Sequence, residues 1–396
     1  MKKVLLLGGS AQQVIAIETA KRLGFYTVLC DYLDDNPGQF AADKFYLVST
    51  TDKEAVLKVA ESEKIDGVIA YASDPAAPTA AFIAEKMGLP TNPYKSVETL
   101  CNKDKFRAFL KSGGFNTPKA EGYTSVQSAM DDLDEFSFPI IIKPVDSSGS
   151  KGTTVLHSKE NVKEAIEFAF SFSREKRIVV EEFIEKKHKY LIGGDVIIEN
   201  GKIVVFGLLN CYRDNNVNPL VPVGKSYPLL LEKNDIQSVR KTLQKMVDKL
   251  QIKFGAMNVE LIIDKNNRVF PIDIGPRSGG NMIPDLLGYI FNIDVVELTV
   301  KMAMGMDCNI NVEEKDVFYA THNIHSAKDG VFKKVEFSPE IEKFIIKKCI
   351  YKTSGDKIER FENASKAIGI VFFKFNNAEE MKNTLDNINS KITVVM

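Results

Sequence analysis

The sequence has few cysteines, and their placement suits neither a disulfide framework nor a thiolate metal site. The 396 residues contain five cysteines, an odd number, scattered at Cys30, Cys101, Cys211, Cys308 and Cys349. No CxxC pair occurs, which argues against a disulfide-stapled fold and against a zinc site built on thiolates. This usage predicts a reducing, cytoplasmic environment.

Long hydrophobic runs and an excess of one charge are also missing. No run reaches the roughly 18 apolar residues of a membrane-spanning helix, because Asp294 and Glu297 interrupt the most hydrophobic helical region. The turn at Gly8-Gly9 comes too early for a secretory signal. The 52 Lys and Arg nearly balance the 53 Asp and Glu, leaving a net charge of −1. We therefore expect neither a nucleic-acid partner nor a membrane partner.

Alternating strand and helix patterns predict the fold class. The chain opens with an apolar strand at 4–7, a glycine turn, a helix at 12–23 and a second strand at 27–30, and this β-α-β order continues to residue 87. The alternation indicates a parallel sheet with helices on both faces. Residues 96–113 read as one helical connector, and the remaining strands and helices indicate α+β units. The fold class is therefore α/β and α+β, multidomain.

Four units follow from this pattern and from the chain length. We place a Rossmann-like parallel-sheet domain with its connector at 1–113, a small α+β unit at 114–185, a larger block with long strands at 186–306, and a strand-rich unit at 307–396. The first glycine turn, Gly8-Gly9-Ser10, departs from GxGxxG. It reads first as a tight βα turn, with substrate or nucleotide contact through its backbone N–H groups as alternatives.

A lysine and a flexible loop form the next candidate site. The apolar strand 138–142 delivers Lys143 at its end, directly before the Ser/Gly-rich stretch 146–152. The backbone donors of such a loop can surround phosphate oxygens, and a lysine adds a fixed positive charge. A lysine preceding an ordinary surface turn is the alternative interpretation.

Two carboxylates can be placed by counting along a predicted hairpin. Residues 256–264 and 268–274 read as strands joined by a two-residue turn at Asn266-Asn267. This register sets Glu260 opposite Asp273, where two like charges repel each other unless a cation lies between them. Oxygen ligands of this kind suit Mg²⁺, which completes its shell with phosphates and water. Two solvated carboxylates on an exposed sheet face are the alternative.

Further polar residues lie beyond this hairpin and in the segment 210–227. Arg277 follows Asp273 closely, and its guanidinium could hold a carboxylate or phosphate in a bidentate fork. Arg213 and Lys225 belong to a polar segment of the kind that shapes substrate pockets, unless it is an exposed linker. His322 and His325 are three residues apart on a predicted strand, so we expect them to point to opposite faces and to be poor joint ligands.

The ordered set of motifs resembles the ATP-grasp superfamily over about residues 1–305. The motifs are Asp104-Lys105, Ile142-Lys143-Pro144, the loop from Ser147 to Gly152, Val180-Glu181-Glu182-Phe183-Ile184, and Glu260 with Asp273-Ile274-Gly275-Pro276-Arg277. Two positions depart from the usual pattern. The second metal ligand is Asp273 where Glu is usual, and Gly275 stands where Asn is common.

The resemblance implies the site residues and the cofactors, ATP and Mg²⁺, with Mn²⁺ as an alternative metal. It implies a nucleotide site made by Lys105, Lys143, Ser147, Ser148, Gly149, Ser150, Gly152, Glu181, Glu182, Phe183, Ile184 and His188. In that site Glu181 and Ile184 match the hinge that contacts adenine, Ile184 through its backbone, and His188 falls near the position that often contacts the ribose. It implies Glu260 and Asp273 as metal ligands, and Arg277, Lys143, Glu260 and Asp273 as catalytic residues. Arg213, Lys225, Arg277, Gly279 and Asn281 are the substrate candidates.

The implied reaction is an ATP-dependent ligation of a carboxylate to an amine through an acylphosphate. The partners would be a small-molecule carboxylate and amine, and a homodimer is left open. A bicarbonate-using carboxylase of the same fold is one alternative, and a non-catalytic nucleotide-binding regulatory or assembly protein is another. A nicotinamide oxidoreductase is a third alternative, and this interpretation is supported by the N-terminal fold alone.

Overall fold

The computed structural model describes residues 1–396, and its first unit is a four-stranded parallel sheet of order β3-β2-β1-β4. The predicted β-α-β order is present, and the predicted α/β and α+β fold class is confirmed. The elements are β1 (Lys3–Leu7), α1 (Val14–Arg22), β2 (Tyr26–Asp31), α2 (Gly38–Ala41), β3 (Lys44–Leu47), α3 (Lys53–Glu63), β4 (Gly67–Ile69) and α4 (Ala77–Met87).

The connector is two helices rather than the single helix predicted over 96–113. Helix α5 (Tyr94–Leu100) ends before Asn102, whose backbone is extended with φ −130° and ψ 109°, and α6 (Lys103–Ser112) begins there. The side-chain amide of Asn102 donates to Glu175 at 2.9 Å. The backbone N–H of Lys103 donates to the carbonyl of Val145 at 2.9 Å. These tertiary contacts turn the chain where local helix propensity alone would have continued it.

The second unit is an antiparallel sheet of order β5-β8-β6-β7 with two helices. Its core contains Ile140, Ile142, Ile166 and Val180. The order strand, helix, strand, strand, helix, strand is that of an α+β unit, as predicted for this segment. The elements are β5 (Ala120–Tyr123), α7 (Val126–Asp131), β6 (Ile140–Pro144), β7 (Thr154–Leu156), α8 (Val162–Phe172) and β8 (Ile178–Glu182).

An eight-stranded antiparallel sheet forms the largest part of the molecule, in the order β13-β12-β9-β10-β11-β14-β19-β17. Its first part contains β9 (Leu191–Glu199), β10 (Lys202–Asp214), β11 (Asn218–Tyr227), α9 (Lys233–Leu250), β12 (Gly255–Ile263), β13 (Val269–Gly275), α10 (Ile283–Phe291) and α11 (Val295–Ala303). Helix α9 covers one face through Val239, Leu243 and Met246, and α10 covers the other through Leu286 and Leu287.

The tail adds strands to this same sheet. Its elements are β14 (Phe318–Ile324), β15 (Gly330–Val331), β16 (Lys334–Phe337), α12 (Pro339–Glu342), β17 (Ile345–Ile350), β18 (Lys357–Ile358), β19 (Gly369–Phe375), α13 (Ala378–Asp386) and β20 (Ile392–Val395). Strands β14, β19 and β17 continue from β11, so hydrogen bonding crosses the predicted limit at residue 306. The limits at 113, 185 and 306 stay predictions.

Helix α11 returns to the first sheet and fills one of its faces. Val296 and Val300 pack with Val4 and Leu6, while α3 and α4 cover the opposite face. A Cβ on Gly67 would lie 2.6 Å from the carbonyl of Ala303, so the close approach of β4 and α11 requires glycine at 67. The first unit is thereby anchored to the segment that follows the hairpin.

Two expectations from composition can be compared with the structure. No helix combines the length and the apolar character that a bilayer crossing demands. The five cysteines are all free thiols.

Candidate active site

The hairpin of β12 and β13 places Glu260 opposite Asp273. The pairing is the predicted one, but the turn that produces it is different. Asp264 faces Arg268 across a three-residue turn, and a bulge between Glu260 and Leu261 leaves Ile272 without a partner. The predicted two-residue turn at Asn266-Asn267 is therefore wrong. The turn and the bulge each shift the register by one residue, and the two shifts cancel at the carboxylates.

Each carboxylate of the pair has a cation nearby at a long distance. The Nη2 of Arg213 lies 3.5 Å from Oε1 of Glu260, and the Nζ of Lys103 lies 3.9 Å from Oδ2 of Asp273. The two acidic side chains are 27% and 45% exposed, so both are accessible to a ligand. No third acidic, histidine or cysteine ligand joins them in a metal cluster. Two carboxylates with open positions suit Mg²⁺, which commonly takes one or two protein carboxylates besides phosphate oxygens and water.

A buried ion-pair cluster lies where the four-stranded antiparallel sheet of the second unit meets the connector. The Nζ of Lys143 lies 2.8 Å from Oε2 of Glu181, and the Nε of Arg107 lies 2.9 Å from Oε1 of the same carboxylate. Burial alone would raise the pKa of Glu181, but Arg107 and Lys143 hold it at about 2. Burial lowers the pKa of Lys143, and Glu181 opposes that effect. Two cations on one carboxylate leave a local excess of positive charge, which an anionic ligand would offset.

This cluster corrects the role expected for the Glu181 side chain. Both of its oxygens lie against Arg107 and Lys143, so the carboxylate is occupied and not available to an adenine. The backbone of Ile184 remains available, because neither its N–H nor its carbonyl has a partner within the protein. Glu182 accepts from the Ser137 N–H, and Phe183 is 40% exposed beside it. The hinge therefore offers a free backbone donor and acceptor at Ile184.

The Ser/Gly loop has the backbone geometry of an anion-binding turn. Ser150, Gly149 and Gly152 have φ of 60°, 66° and 71°. None of the backbone N–H groups of 147–152 donates a hydrogen bond within the protein. Two other groups of the loop do have partners, since Lys103 Nζ donates to the Ser147 carbonyl at 2.6 Å and Ser150 Oγ donates to the Leu220 carbonyl at 3.1 Å. The loop is held in place while its N–H groups stay free for an anion.

Lys105 does not face this loop. Its Nζ pairs with Glu98 at 3.3 Å, and Lys103 takes the place beside the loop and Asp273 that the resemblance gave to Lys105. Residues 103 and 107 are four apart and share one face of α6, whereas 105 lies to the side. Lys103 and Arg107 were not predicted as site residues, and this helical spacing is the signal that would have found them.

Arg277 is held by a carboxylate from the first unit. Its Nε donates to Oδ1 of Asp74 at 2.7 Å, its Nη2 pairs with Oδ2 of Asp74, and its Nη1 donates to the Ser278 carbonyl at 3.0 Å. Burial would lower the pKa of the guanidinium, but Asp74 raises it above its ordinary value. Asp74 was missed, since its signal is one acidic residue in a loop 203 positions away.

The structure also explains the glycine at 275. A Cβ added there would lie 2.5 Å from Oδ1 of Asp74 and 3.2 Å from Nε of Arg277. A larger residue at 275, including the Asn expected there, would collide with the ion pair. Gly275 and the Asp74–Arg277 pair are thus parts of one arrangement.

The loop after Arg277 is fixed by a buried carboxylate. Asp195 is fully buried and accepts from the Gly279 N–H at 2.8 Å and from Asn258 Nδ2 at 2.7 Å. Burial raises the pKa of Asp195, although these donors oppose the effect. Gly279 therefore cannot offer its N–H to a substrate, which corrects its expected role. Asn281 is half-buried with φ 54°, and its side chain has no partner in the protein.

Lys225 is a buried cation without a carboxylate partner. Its Nζ contacts the Sγ of Cys211 at 2.9 Å, and no acidic oxygen lies within 4.0 Å. A Cβ on Gly193 would lie 2.5 Å from Sγ of Cys211 and 3.2 Å from this Nζ, so the close packing of both side chains against β9 requires glycine at 193. Because Gly193 pairs with Glu260 in the sheet, the Lys225 amine lies on the same face as the acidic pair. An anionic group would satisfy Lys225 at this place.

His188 serves the fold rather than a ligand. Its Nδ1 contacts the Tyr190 carbonyl, and its Nε2 accepts from the Ile263 N–H at 3.0 Å. Both ring nitrogens are engaged with the backbone, so the role implied for a ribose is not supported.

The first glycine turn is likewise occupied by its own chain. Gly8 donates to the Cys30 carbonyl, Gly9 to Oδ2 of Asp31 at 2.6 Å, and Ser10 to Oε1 of Gln13 at 3.0 Å. The backbone N–H groups of all three turn residues are therefore engaged within the protein, as in a structural βα turn.

The histidines of β14 lie closer together than predicted. The rings of His322 and His325 are 5.5 Å apart, because His325 lies beyond the end of the strand and escapes its alternation. His325 contacts Asp214 Oδ2 at 3.0 Å and the Asn323 carbonyl at 2.7 Å. The expectation that the two rings point apart is wrong. Burial lowers the pKa of His322 to about 3.

This burial predicts an acid-sensitive stability. Below pH 6.5 His322 binds a proton in the unfolded chain but stays neutral in the folded chain. The free energy of unfolding therefore falls as the pH drops from 6.5 towards 3. Between pH 7.5 and 5 we expect His322 to account for about 2 kcal/mol of lost stability. Urea unfolding of His322→Gln should show that much less pH dependence than wild type, with the exposed His157→Gln as control. Equal slopes in all three proteins would contradict the prediction.

A polar cleft of about 300 Å³ connects the first unit to the hairpin. Asp74, Lys103, Ser147 and Asp273 contribute to its walls. Asp273 of the acidic pair, Ser147 of the loop and Asp74, the anchor of Arg277, therefore line one open space between the units.

Comparison with known proteins agrees with this architecture. The family model described as "Carbamoyl-phosphate synthase L chain, ATP binding domain" matches residues 102–310, and the model "ATP-grasp N-terminal domain" matches residues 17–91. A curated relative, the C-terminal section of the carbamoyl phosphate synthase large chain of Aquifex aeolicus, is 22% identical over 322 residues, which are 77% of this chain and 58% of the relative. The chain thus spans less than two thirds of that relative.

Two solved structures share the fold. The L-amino acid ligase from Bacillus licheniformis is 20% identical with a TM-score of 0.80, and the match covers 100% of this chain and 98% of that one. The biotin carboxylase domain dimer of Hydrogenobacter thermophilus 2-oxoglutarate carboxylase, in complex with MgADP, ADP and bicarbonate, is 16% identical with a TM-score of 0.76, covering 100% and 91%. The resemblance noted in the sequence is confirmed: the chain belongs to the family of the carbamoyl-phosphate synthase L chain ATP-binding domain, in the ATP-grasp superfamily.

Proposed function

We propose that this protein is an ATP-dependent ligase that joins a carboxylate to an amine through an acylphosphate, releasing ADP and phosphate. The observation that carries the proposal is the opposition of Glu260 and Asp273 beside a loop whose N–H groups are free. Metal-assisted phosphoryl transfer needs these two elements, carboxylates for a cation and donors for phosphate oxygens.

The nucleotide site is proposed to lie between the eight-stranded sheet and the four-stranded antiparallel sheet of the second unit, which we call the lid sheet. The free N–H groups of 147–152 and the buried cation Lys143 would hold the phosphates, and Lys103 rather than Lys105 would add the second charge. The free backbone of Ile184 would accept and donate the two hydrogen bonds that identify an adenine edge.

Glu260 and Asp273 would hold Mg²⁺, with Mn²⁺ as an alternative. Bound there, the cation supplies positive charge to the phosphate oxygens and removes the repulsion between the two carboxylates. Arg213 and Lys103, at 3.5 and 3.9 Å, balance part of the acidic charge before a cation arrives.

The acid and the amine are proposed to react beside the acidic pair, between Lys225, Arg213 and Arg277. A carboxylate oxygen of the acid attacks the γ-phosphorus, the bond to the β-phosphate oxygen breaks, and ADP leaves. The amine nitrogen then attacks the acyl carbon, phosphate leaves, and the amine gives up a proton. Arg277, held by Asp74, would stabilise the charge that develops on the acyl oxygen. These residues orient the substrates and neutralise their charge, and no covalent nucleophile is needed.

The finer assignments belong to the same proposal. Residues 1–113 would form the preATP-grasp domain, 114–185 the lid, 186–306 the catalytic part and 307–396 a C-terminal unit. The five free thiols support a reducing, cytoplasmic setting. We propose small molecules as the partners and leave a homodimer open.

Phosphate release over a matrix of carboxylates and amines tests the proposed function. We expect release that requires ATP, Mg²⁺, one acid and one amine, and a hydroxamate when hydroxylamine replaces the amine. Release with bicarbonate alone would favour the carboxylase alternative. ADP binding without turnover across the whole matrix would favour a nucleotide-binding regulatory protein.

A further inference from the structure

Arg107 contacts two parts of the site that belong to different sheets. Its guanidinium pairs with Glu181 on β8, with Nε to Oε1 at 2.9 Å and Nη2 to Oε2 at 3.1 Å. The same Nη2 donates to the carbonyl of Ile272 on β13 at 2.7 Å. The side chain is 4% exposed, so these contacts are made away from solvent. One side chain thus bridges the lid sheet and the metal-site hairpin.

The contact on β13 falls on the residue that sets the register of the carboxylates. Ile272 is the unpaired residue of the bulge, since Leu261 pairs with Pro271 and Glu260 pairs with Asp273. Without this extra residue Glu260 would face Ile272, and Asp273 would turn to the opposite face of the sheet. The bulge therefore places both carboxylates on one face of the sheet. Arg107 donates a hydrogen bond to the carbonyl of the bulged residue, Ile272.

The contact on β8 falls on the partner of the phosphate-site lysine. Glu181 is shared between Arg107 and Lys143, and both cations are buried. Neither Nη1 nor Nε of Arg107 makes a hydrogen bond, although Nε lies 2.9 Å from Oε1 of Glu181. A buried cation with an unused donor and only a share of one carboxylate is incompletely compensated. An anion bound at Lys143 would weaken the pairing of Lys143 with Glu181, and the interaction between Glu181 and Arg107 would change as a result.

We propose that Arg107 is a positioning residue that couples the nucleotide lysine Lys143 to the metal carboxylate Asp273, through Glu181 and the bulge at Ile272. The inference rests on the proposed function, because it assumes a nucleotide at Lys143 and a divalent cation at Asp273. Arginine is required for the coupling, since its planar fork reaches a carboxylate and a carbonyl together, whereas lysine is a single point charge. Lysine at 107 would keep the charge and lose the link.

The test measures how much Mg²⁺ strengthens ADP binding. The dissociation constant of a fluorescent ADP analogue is determined in EDTA and at saturating Mg²⁺, and the ratio of the two values reports the coupling between nucleotide and metal. In Arg107→Lys we expect this ratio to fall about tenfold, as for other residues that support a metal ligand. The metal-free constant should stay within about twofold of wild type, because the charge is kept. Metal-free binding also shows that the variant is folded.

Two further variants isolate the path. Arg268→Lys is the matched control, because Arg268 lies on the same hairpin and binds Asp264 at the turn, away from the bulge. It should leave the ratio unchanged. In an Asp273→Asn background, Arg107→Lys should have no further effect on the ratio, since the metal ligand it positions is already lost.

Several outcomes would overturn the inference. An unchanged ratio in Arg107→Lys, or a parallel loss of metal-free and Mg²⁺-dependent binding, would reduce Arg107 to a structural residue. A full effect in the Asp273→Asn background would show that the path does not run through Asp273. A wild-type protein that binds no ADP would refute the proposed function along with the inference, whereas the other outcomes refute the inference alone.

Discussion

Replacing Glu260 with glutamine should lower kcat by about a thousandfold or more while the protein remains folded. The amide has nearly the same shape but carries no charge, so a divalent cation opposite Asp273 loses half of its carboxylate ligands. A loss of about 4 kcal/mol of charge stabilisation in the transition state corresponds to that factor. Phosphate release under saturating substrates measures the effect.

The folded state should not suffer from this change. Removing one of two opposed negative charges relieves their repulsion, so the midpoint of urea unfolding without metal should stay the same or rise. Glu185→Gln is the matched control, since Glu185 neighbours the hairpin and binds only the exposed Lys265. Undiminished phosphate release by Glu260→Gln, or an equal loss in the control, would refute the metal assignment.

The sequence predicted the pairing of the carboxylates but not the turn that produces it. Counting from a two-residue turn placed Glu260 opposite Asp273, and the structure has the same pair with a three-residue turn and a compensating bulge at Ile272. A bulge leaves no clear mark in the hydrophobic pattern, because it depends on a contact from elsewhere, here Arg107. Two errors of one residue cancelled, so the correct pair does not validate the turn.

Strand and helix order in the first two units could be predicted because their patterns are local. The connector could not, since Asn102 breaks its helix through contacts with the second unit that no periodicity encodes. The same limit applies to the side chains of α6. A motif match selected Lys105, while the face that meets the loop is defined by Lys103 and Arg107.

Long-range partners of polar residues were the least predictable part of the site. Arg277 was recognised from its place after Asp273, but its anchor Asp74 comes from the loop between β4 and α4 of the first unit. Glu181 was assigned to a nucleotide base, and the structure instead gives its carboxylate to two buried cations. Sequence motifs identified residue types suited to the chemistry, whereas their partners depend on how the sheets pack.

The second large effect is expected at Gly275, where the chain departs from the common Asn. Even a methyl group there would lie 2.5 Å from Oδ1 of Asp74, so Gly275→Ala must displace either the carboxylate or the backbone of β13. Displacement of Asp74 frees Arg277 from its fork, and a guanidinium that is no longer oriented stabilises the reacting oxygen less well. We expect kcat to fall about a hundredfold, the size of losing one well-placed oxyanion donor.

A double-mutant cycle distinguishes this explanation from general damage to the hairpin. Asp74→Ala alone should lower kcat by a similar factor, because Arg277 loses its anchor. If the collision with Asp74 is the cause, Gly275→Ala should then add little in the Asp74→Ala background, since the carboxylate it strikes is gone. If the double variant instead loses kcat by the product of the two single losses, the added methyl group distorts β13 itself. In that case the nearby Asp273 would be displaced, and the requirement for Mg²⁺ would rise in Gly275→Ala but not in Asp74→Ala.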